Sequence, residues 1–228
     1  MPERLRVATW NVHSCIGSDG RHDPARVRRV IRGLAANVVA LQEVDSRIAG
    51  HDGFRDLGAA MGPDHAHCRT LRTPDGDYGH MLLSTAPILE WAVRDISIAA
   101  REPRSVIDAI LETGCGQIRV LSTHLGLGRH ERTRQVEVVQ KLVAERESGV
   151  ILMGDFNEAT RFGPASRAFD TCLASVGRLR TFPARYPILP LDRIWCGPPI
   201  HVERAWTIRE AGKASDHLPL VAELYLGR

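Results

Sequence analysis

Apolar runs that stop abruptly at polar residues organise this chain. "RLRVATWN" reads as a strand closing on Asn11, and "NVVALQE" as a short buried strand closing on Glu43. Between them, "DPARVRRVIRGLAA" has apolar residues at helical spacing, with Asp23 as N-cap and Pro24 at the first helical position. The same order returns later. "QIRVLSTH" is a strand ending in His124, "RHERTRQVEVVQKLVAERE" is a long amphipathic helix, and "GVILMGDFN" is a buried strand ending in Asp155 and Asn157. A strand–helix–strand unit therefore occurs twice, and each copy brings polar groups to strand ends.

The remaining pattern is β-rich. "HAHCRTLR" and "YGHMLLS" form a hairpin with Asp75-Gly76 in the turn, and "SVIDAILE" pairs with "QIRVLST" through "TGCG". "GPASRAFDTCLASVG" reads as a short helix, while "LDRIW", "HVERAWTI" and "LPLVAELYL" read as closing strands. Two sheets packed face to face with helices outside accommodate these elements. No linker-like stretch divides them, so the expectation is a single domain over residues 1–228.

Composition narrows the class without naming a partner. A chain of 228 residues, 43% hydrophobic and 25% charged, can bury a sizeable core and is not disordered. Its net charge of +3 is too mild to argue for nucleic acid by itself, and an aromatic content of 5% offers little for base stacking. Neither value excludes a polyanionic substrate. The cysteines (Cys15, Cys68, Cys115, Cys172, Cys196) have no C-x-x-C pairing and read as reduced, buried thiols rather than disulfides or a zinc site. Strand-like sequence begins at once, leaving no room for a signal peptide, and no apolar run is long enough for a membrane span. A cytoplasmic location is the expectation.

The chemistry lies in the polar strand ends: Asn11, Glu43, His124, Asp155, Asn157, Asp192 and the pair Asp216-His217. Each alone would pass for a loop residue or a cap. Converging at one edge of a sandwich, they would build an acidic, amide-rich pocket whose oxygen donors suit Mg²⁺ or Mn²⁺. Such an ion polarises a phosphoryl oxygen, and an acid-paired histidine can work on a water, so metal-assisted hydrolysis of phosphate esters is the leading chemistry. In "SDHLP" the acid and the histidine are neighbours. If strand geometry begins by Asp216, they point to opposite faces and cannot pair.

Together "TWNVH", "LQEVD", "STHL", "GDFN", "LDRIW" and "SDHLP" resemble, in order and spacing, the endonuclease/exonuclease/phosphatase superfamily, from about residue 6 to 224. The resemblance implies a deoxyribonuclease-I-like α/β fold, a four-layered sandwich of two packed, mainly antiparallel β-sheets flanked by helices. It implies Glu43 as the main carboxylate ligand of a catalytic Mg²⁺ or Mn²⁺, with Asn11 and Asp216 completing the ion's near environment. It further implies that Asp155 positions or activates the attacking water and that Asn157 and His124 donate to the phosphate. His217 becomes the essential C-terminal histidine, oriented by Asp192. Whether His217 is a general base, or an imidazolium while Asp155 handles the water, is left open. Arg104 matches an arginine near the phosphate, with Arg101 a competing alignment. The family's common Gly-Asn is here Gly79-His80, which leaves position 80 without an assigned role.

Substrate choice falls to the loops. Arg178, Arg180 and Arg185 surround "TFP" just before Asp192 and form either a solvated basic loop or an anion-binding one. No long basic insertion grips a duplex. The expectation is a phosphodiesterase or phosphatase acting on a phosphorylated small molecule or phospholipid headgroup. A metal-dependent DNA endonuclease or exonuclease is the alternative, and a non-catalytic binding module comes third.

Overall fold

The structure is a computed structural model that describes residues 4–114, 116–145 and 149–227. Its strands are β1 (Arg4–Asn11), β2 (Val38–Asp45), β3 (Asp64–Thr73), β4 (Gly76–Ser84), β5 (Ile88–Asp95), β6 (Ser105–Thr113), β7 (Gly116–His124), β8 (Gly149–Asp155), β9 (Ala174–Ser175), β10 (Asp192–Cys196), β11 (Ile200–Thr207) and β12 (Leu220–Leu226). The helices are α1 (Pro24–Gly33), α2 (Gly53–Gly58), α3 (Arg129–Ala144) and α4 (Pro164–Phe169).

Both expected strand–helix–strand units form. In α1 the Asp23 side chain accepts from the Arg26 amide at 2.9 Å, and Pro24 occupies the first turn where its missing N–H costs nothing. The helix buries Val27 and Ile31, four apart on one face. α3 starts where Glu131 Oε2 accepts from the Gly128 amide at 3.3 Å, and it buries Val136, Val139 and Val143. The expected extension of this helix over residues 146–147, like Cys115, lies outside the described residues.

Strand order is β11-β12-β1-β2-β4-β3 in one sheet and β5-β6-β7-β8-β10-β9 in the other. β1 and β2 are parallel, as are β7 and β8, and every other neighbouring pair is antiparallel. The parallel pairs are the ones joined through α1 and α3, because only a crossover lets successive strands run the same way. Strand alternation then sorts the apolar residues into layers. Val7, Val38 and Leu82 meet Ile107, Val120 and Ile151 between the sheets. Ala8, Val39 and Leu41 face α1 and α2, while Leu121, Leu152 and Trp195 face α3 and α4. Helices, sheet, sheet, helices: the four-layered α/β sandwich is present.

Several local expectations are corrected. The β3–β4 register pairs Thr73 with Gly76, so the turn residues are Pro74 and Asp75, one position earlier than expected. Gly76 opens the next strand at φ 141, where an added Cβ would run into the backbone of Ser46. The helix expected over residues 163–177 ends at Phe169, and the chain returns as β9 to pair with β10. β5 escaped the pattern because its alternating Leu89, Trp91 and Val93 point to solvent. β12 begins at Leu220, so Asp216 and His217 lie in a loop and strand parity is not what separates them. Cys15, Cys68 and Cys196 are buried as expected, but Cys172 is exposed.

Candidate active site

Three strand ends of the second sheet meet in register. His124 lies opposite Asp155 across the parallel pair, and Asp192 lies opposite Asp155 across the antiparallel one. In-register neighbours present their side chains on the same face, so Asp155 sits between a histidine and a carboxylate. The first sheet supplies the facing wall. Asn11 ends β1, and Glu43 sits where the β2–β4 register slips between Leu41 and Val44. Glu43 takes a left-handed conformation there, φ 58, which costs a non-glycine residue about 1–2 kcal/mol. Asn157 is likewise left-handed at φ 49, a conformation its short amide tolerates better. Left-handed residues at two strand ends are the local strain expected of a functional site.

One amide joins the two walls. Asn11 Nδ2 donates to Glu43 Oε1 at 2.8 Å and to Asp155 Oδ2 at 3.1 Å, while its Oδ1 accepts from the His13 amide at 3.0 Å. Asp155 Oδ2 also lies 3.7 Å from His124 Nε2 and 3.8 Å from His217 Nε2. Burial pushes the Asp155 carboxyl up, but His217 and then His124 outweigh it and hold the group below its ordinary range.

His217 finds its acid far away in the chain. Its Nδ1 pairs with Asp192 Oδ2 at 2.8 Å, which turns Nε2 towards Asp155. Burial disfavours the charged ring, yet Asp192 first and Asp155 after it raise the pKa to about 10. Phe182 packs against the imidazole at 4.8 Å between ring centroids. The loop is pinned to β1: Ser215 Oγ donates to the Asn11 carbonyl at 2.7 Å and accepts from the His217 amide at 3.1 Å, and Trp10 Nε1 donates to the His217 carbonyl at 2.9 Å. These bonds, not strand alternation, send Asp216 elsewhere. Asp216 Oδ1 is 3.6 Å from His13 Nδ1.

On the other flank Arg104 Nη1 donates to His124 Nδ1 at 3.1 Å, and a guanidinium cannot accept, so the His124 proton is on Nε2. Burial, reinforced by Arg104, depresses this imidazole to about 3, so it is a neutral donor. Asn157 Nδ2 lies 3.2 Å from the same Nε2, a contact between two donors and not a hydrogen bond, and it donates to the Leu125 carbonyl at 2.8 Å. Arg101 is exposed, whereas Arg104 is buried beside His124. His80 lies behind Arg104, its Nε2 2.9 Å from Ser105 Oγ, and burial takes its pKa down to about 3. Of the basic loop, Arg178 is engaged with Ser166 Oγ and the Ala159 carbonyl, while Arg180 and Arg185 are exposed.

The site is a fit for a hard cation. Glu43 is pushed up by burial, against the hydrogen bond from Asn11, and among the described residues it makes no ion pair. A desolvated carboxylate without an ion pair, which Asp155 and Asp216 push up more than His13 holds down, is stabilised by a divalent ion. Ligating atoms of Asp155, Asp192 and His217 also fall within 4.8 Å of one another. The 2.8 Å bond already commits Asp192 Oδ2 and His217 Nδ1 to each other, so the oxygen side at Glu43 is the better cradle.

The family's sequence profile, described as "Endonuclease/Exonuclease/phosphatase family", matches residues 8–217, and every residue described above lies within that span. The chain belongs to that family. Family members are in general divalent-metal-dependent hydrolases of phosphate esters. Among curated proteins, the uncharacterized protein YbhP of Escherichia coli K12 is 30% identical over 244 residues, covering 97% of this chain and 96% of YbhP. An endonuclease/exonuclease/phosphatase structure from Beutenbergia cavernae superposes with TM-score 0.79 at 22% identity, covering 98% of this chain and 72% of that one. The mannosyl-6-phosphatase Bt3783 of Bacteroides thetaiotaomicron gives 0.77 at 19% identity, covering 96% and 99%. TDP2 of D. rerio, complexed with a single-strand DNA product, gives 0.75 at 18% identity, covering 97% and 99%. At such identities the structural likeness carries the fold, not the substrate.

Sequence reasoning passed over three residues within its own motifs. His13 of "TWNVH" faces Asp216, Ser215 of "SDHLP" ties the loop to β1, and Phe182 of "TFP" packs against His217 with its ring tilted. Nothing in the linear pattern marks them, because each acts through a partner distant in sequence.

Proposed function

We propose that this chain is a divalent-metal-dependent phosphate ester hydrolase acting on a phosphorylated small molecule or a phospholipid headgroup. The observation that carries the reading is the Asp192–His217 pair at 2.8 Å aimed at Asp155, opposite the unpaired Glu43 carboxylate. Glu43 and Asp216 would hold Mg²⁺ or Mn²⁺, with Asn11 spacing Glu43 from Asp155. The ion would supply charge neutralisation and polarisation of a phosphoryl oxygen. Asp155, kept ionised, accepts the proton of the attacking water. His217, flanked by two carboxylates and held as an imidazolium, donates from Nε2 to a phosphoryl oxygen as charge builds there. His124 and Asn157 donate to the remaining oxygens, and Arg104 keeps the His124 proton on Nε2.

The site rim supports a lipid headgroup over a nucleic acid. Leu127 follows β7, Phe162 follows β8, and Tyr186 and Ile188 precede β10, so all stand on loops at the edge that carries the site. Their exposures are 75%, 60%, 69% and 62%, and Arg161 and Arg185 lie over the Phe162 and Tyr186 rings, a pairing of apolar side chains with cations that suits an anionic, acyl-bearing headgroup. Bt3783 and TDP2 carry in their names a phosphorylated sugar and a DNA product, so neither class follows from the fold. No helix among the described residues is long and apolar enough to cross a membrane.

A metal-supplemented screen of bis-p-nitrophenyl phosphate, phospholipids, inositol phosphates, nucleotides and DNA tests the reading, with Glu43→Gln as the blank. The expected result is Mg²⁺- or Mn²⁺-dependent turnover, greatest on phospholipids and abolished in the variant. Equal turnover by the variant, or in excess chelator, would sink the mechanism. Salt-sensitive, metal-dependent nicking of DNA in preference to the small esters would make the chain a nuclease instead.

A further inference from the structure

A second cluster of ligating side chains lies apart from the catalytic residues, in the segments that leave β1 and β2. After Asn11 the chain turns through His13, Ser14 and Cys15, all left-handed at φ 46, 52 and 59. The Cys15 amide bonds back to the Val12 carbonyl at 2.8 Å, and the Asp23 amide reaches the Cys15 carbonyl at 2.9 Å. An isolated bridge between Ile16 and His22 closes the small loop, setting His22 close to Cys15. His51 arrives from the segment between β2 and α2, with its ring edge-on to that of His22 at 4.8 Å between centroids. One ligating atom from each of Cys15, His22 and His51 lies within 4.8 Å of the other two.

What singles this cluster out is unsatisfied nitrogen. The Nε2 atoms of His22 and His51 are buried, and neither has a hydrogen-bond partner. A buried polar atom without a partner costs roughly 1–3 kcal/mol and calls for an explanation. The His51 side chain is only 9% exposed, and its Nδ1 is 2.9 Å from Asp56 Oδ2. A carboxylate that close favours the proton on Nδ1 and leaves Nε2 free to ligate, the outer support that metal-bound histidines commonly have. Cys15 supplies a buried sulfur, 2% exposed. Burial, opposed by Arg28, pushes its thiol up to about 12, so without an ion the sulfur keeps its proton. Burial, and then His51, lower the His22 pKa and keep the ring neutral, as a ligand must be.

We infer that Cys15 Sγ, His22 Nε2 and His51 Nε2 form a second metal site, selective for Zn²⁺ and distinct from the catalytic cation. One sulfur and two imidazole nitrogens form a donor set for zinc rather than for Mg²⁺ or Ca²⁺, which take oxygen. Binding replaces the Cys15 S–H bond with a Zn–S bond and releases that proton to solvent, while His51 keeps its Nδ1–H on Asp56. The nearby carboxylates are already committed: Asp56 to His51, Asp45 to Arg47 and Ser14, and Asp23 to the N-terminus of α1. The fourth coordination position is therefore left to water. The ion would clamp the segment after Asn11 to the segment after Glu43, bracing both residues at the metal side of the catalytic site. Cysteine spacing gave no hint of this, since the two partners are histidines from a short loop and a different strand connection.

Cobalt substitution tests the site through a signal only a thiolate ligand gives. Chelator-treated protein is titrated with Co²⁺ in excess Mg²⁺, and Zn²⁺ is then measured by competition and by metal analysis. The expected result is one equivalent of cobalt with a thiolate-to-metal charge-transfer band, displaced by one equivalent of zinc. Zinc should also raise the melting temperature, as any ligand specific to the folded state does. The band should vanish in Cys15→Ser and fall at least tenfold in apparent affinity in His22→Asn, whose half-buried side chain leaves the fold unthreatened. It should persist in Glu43→Gln, which separates this ion from the catalytic one. A folded wild-type protein with no charge-transfer band, or a band unchanged in Cys15→Ser or in folded His22→Asn, would overturn the site.

Discussion

The two strand–helix–strand units use one backbone plan for different chemistry. β1-α1-β2 brings Asn11 at the end of β1 together with Glu43 two residues before the end of β2, whereas β7-α3-β8 ends in His124 and Asp155. In the second unit the strands stay in register to their last residues, so His124, Asp155 and Asp192 line up by pairing alone. In the first unit the β2–β4 register slips between Leu41 and Val44, and the left-handed Glu43 sits in that slip. Regular pairing suits groups that must share protons and hydrogen bonds at fixed spacing. A broken register suits a carboxylate held by one neutral amide and by no ion pair, where a cation can reach it.

Substitutions can break this division at either end. Glu43→Gln removes the charge but keeps the shape. It should lower metal-dependent turnover by about 10³-fold or more, with circular dichroism and melting temperature essentially unchanged. His217→Ala removes the donor shared between Asp192 and Asp155. A loss in kcat of about 10²–10⁴-fold is expected on p-nitrophenyl esters, and near-wild-type turnover would exclude His217 from the chemistry. Asp192→Asn keeps the ring and disturbs its orientation and charge, so a loss smaller than that of His217→Ala is expected. Full activity there would refute the pairing. The smallest effect sharpens the contrast in backbone strain. Glu43→Gly removes a left-handed side chain, and relief of that strain should raise stability by about 1–2 kcal/mol in denaturant unfolding while abolishing activity. A destabilised Glu43→Gly would show that Glu43 is not strained.

Much of the fold is legible in the linear pattern, for a plain reason. β1, β2, β7 and β8 are buried on both faces, so they read as apolar runs, and α1 carries its cap and its proline in the first turn. β5 was not legible because its outward face is apolar, reversing the usual signal. The parity argument for "SDHLP" reached the right separation by the wrong route, since the strand starts only at Leu220. His13, Ser215 and Phe182 were invisible as functional neighbours because their partners are contributed by other elements.

Sequence alone determined the order of the elements, the repeat, and which residue types stand at strand ends, because burial and backbone periodicity act locally and leave a pattern behind. Only the tertiary structure decided who meets whom. The acid that serves His217 lies in β10, the amide between Glu43 and Asp155 comes from β1, and two imidazoles with unpartnered Nε2 atoms close on Cys15 from separate loops. Such meetings depend on sheet register and on the packing of one layer against another, and distances across layers are not written in the spacing along a chain.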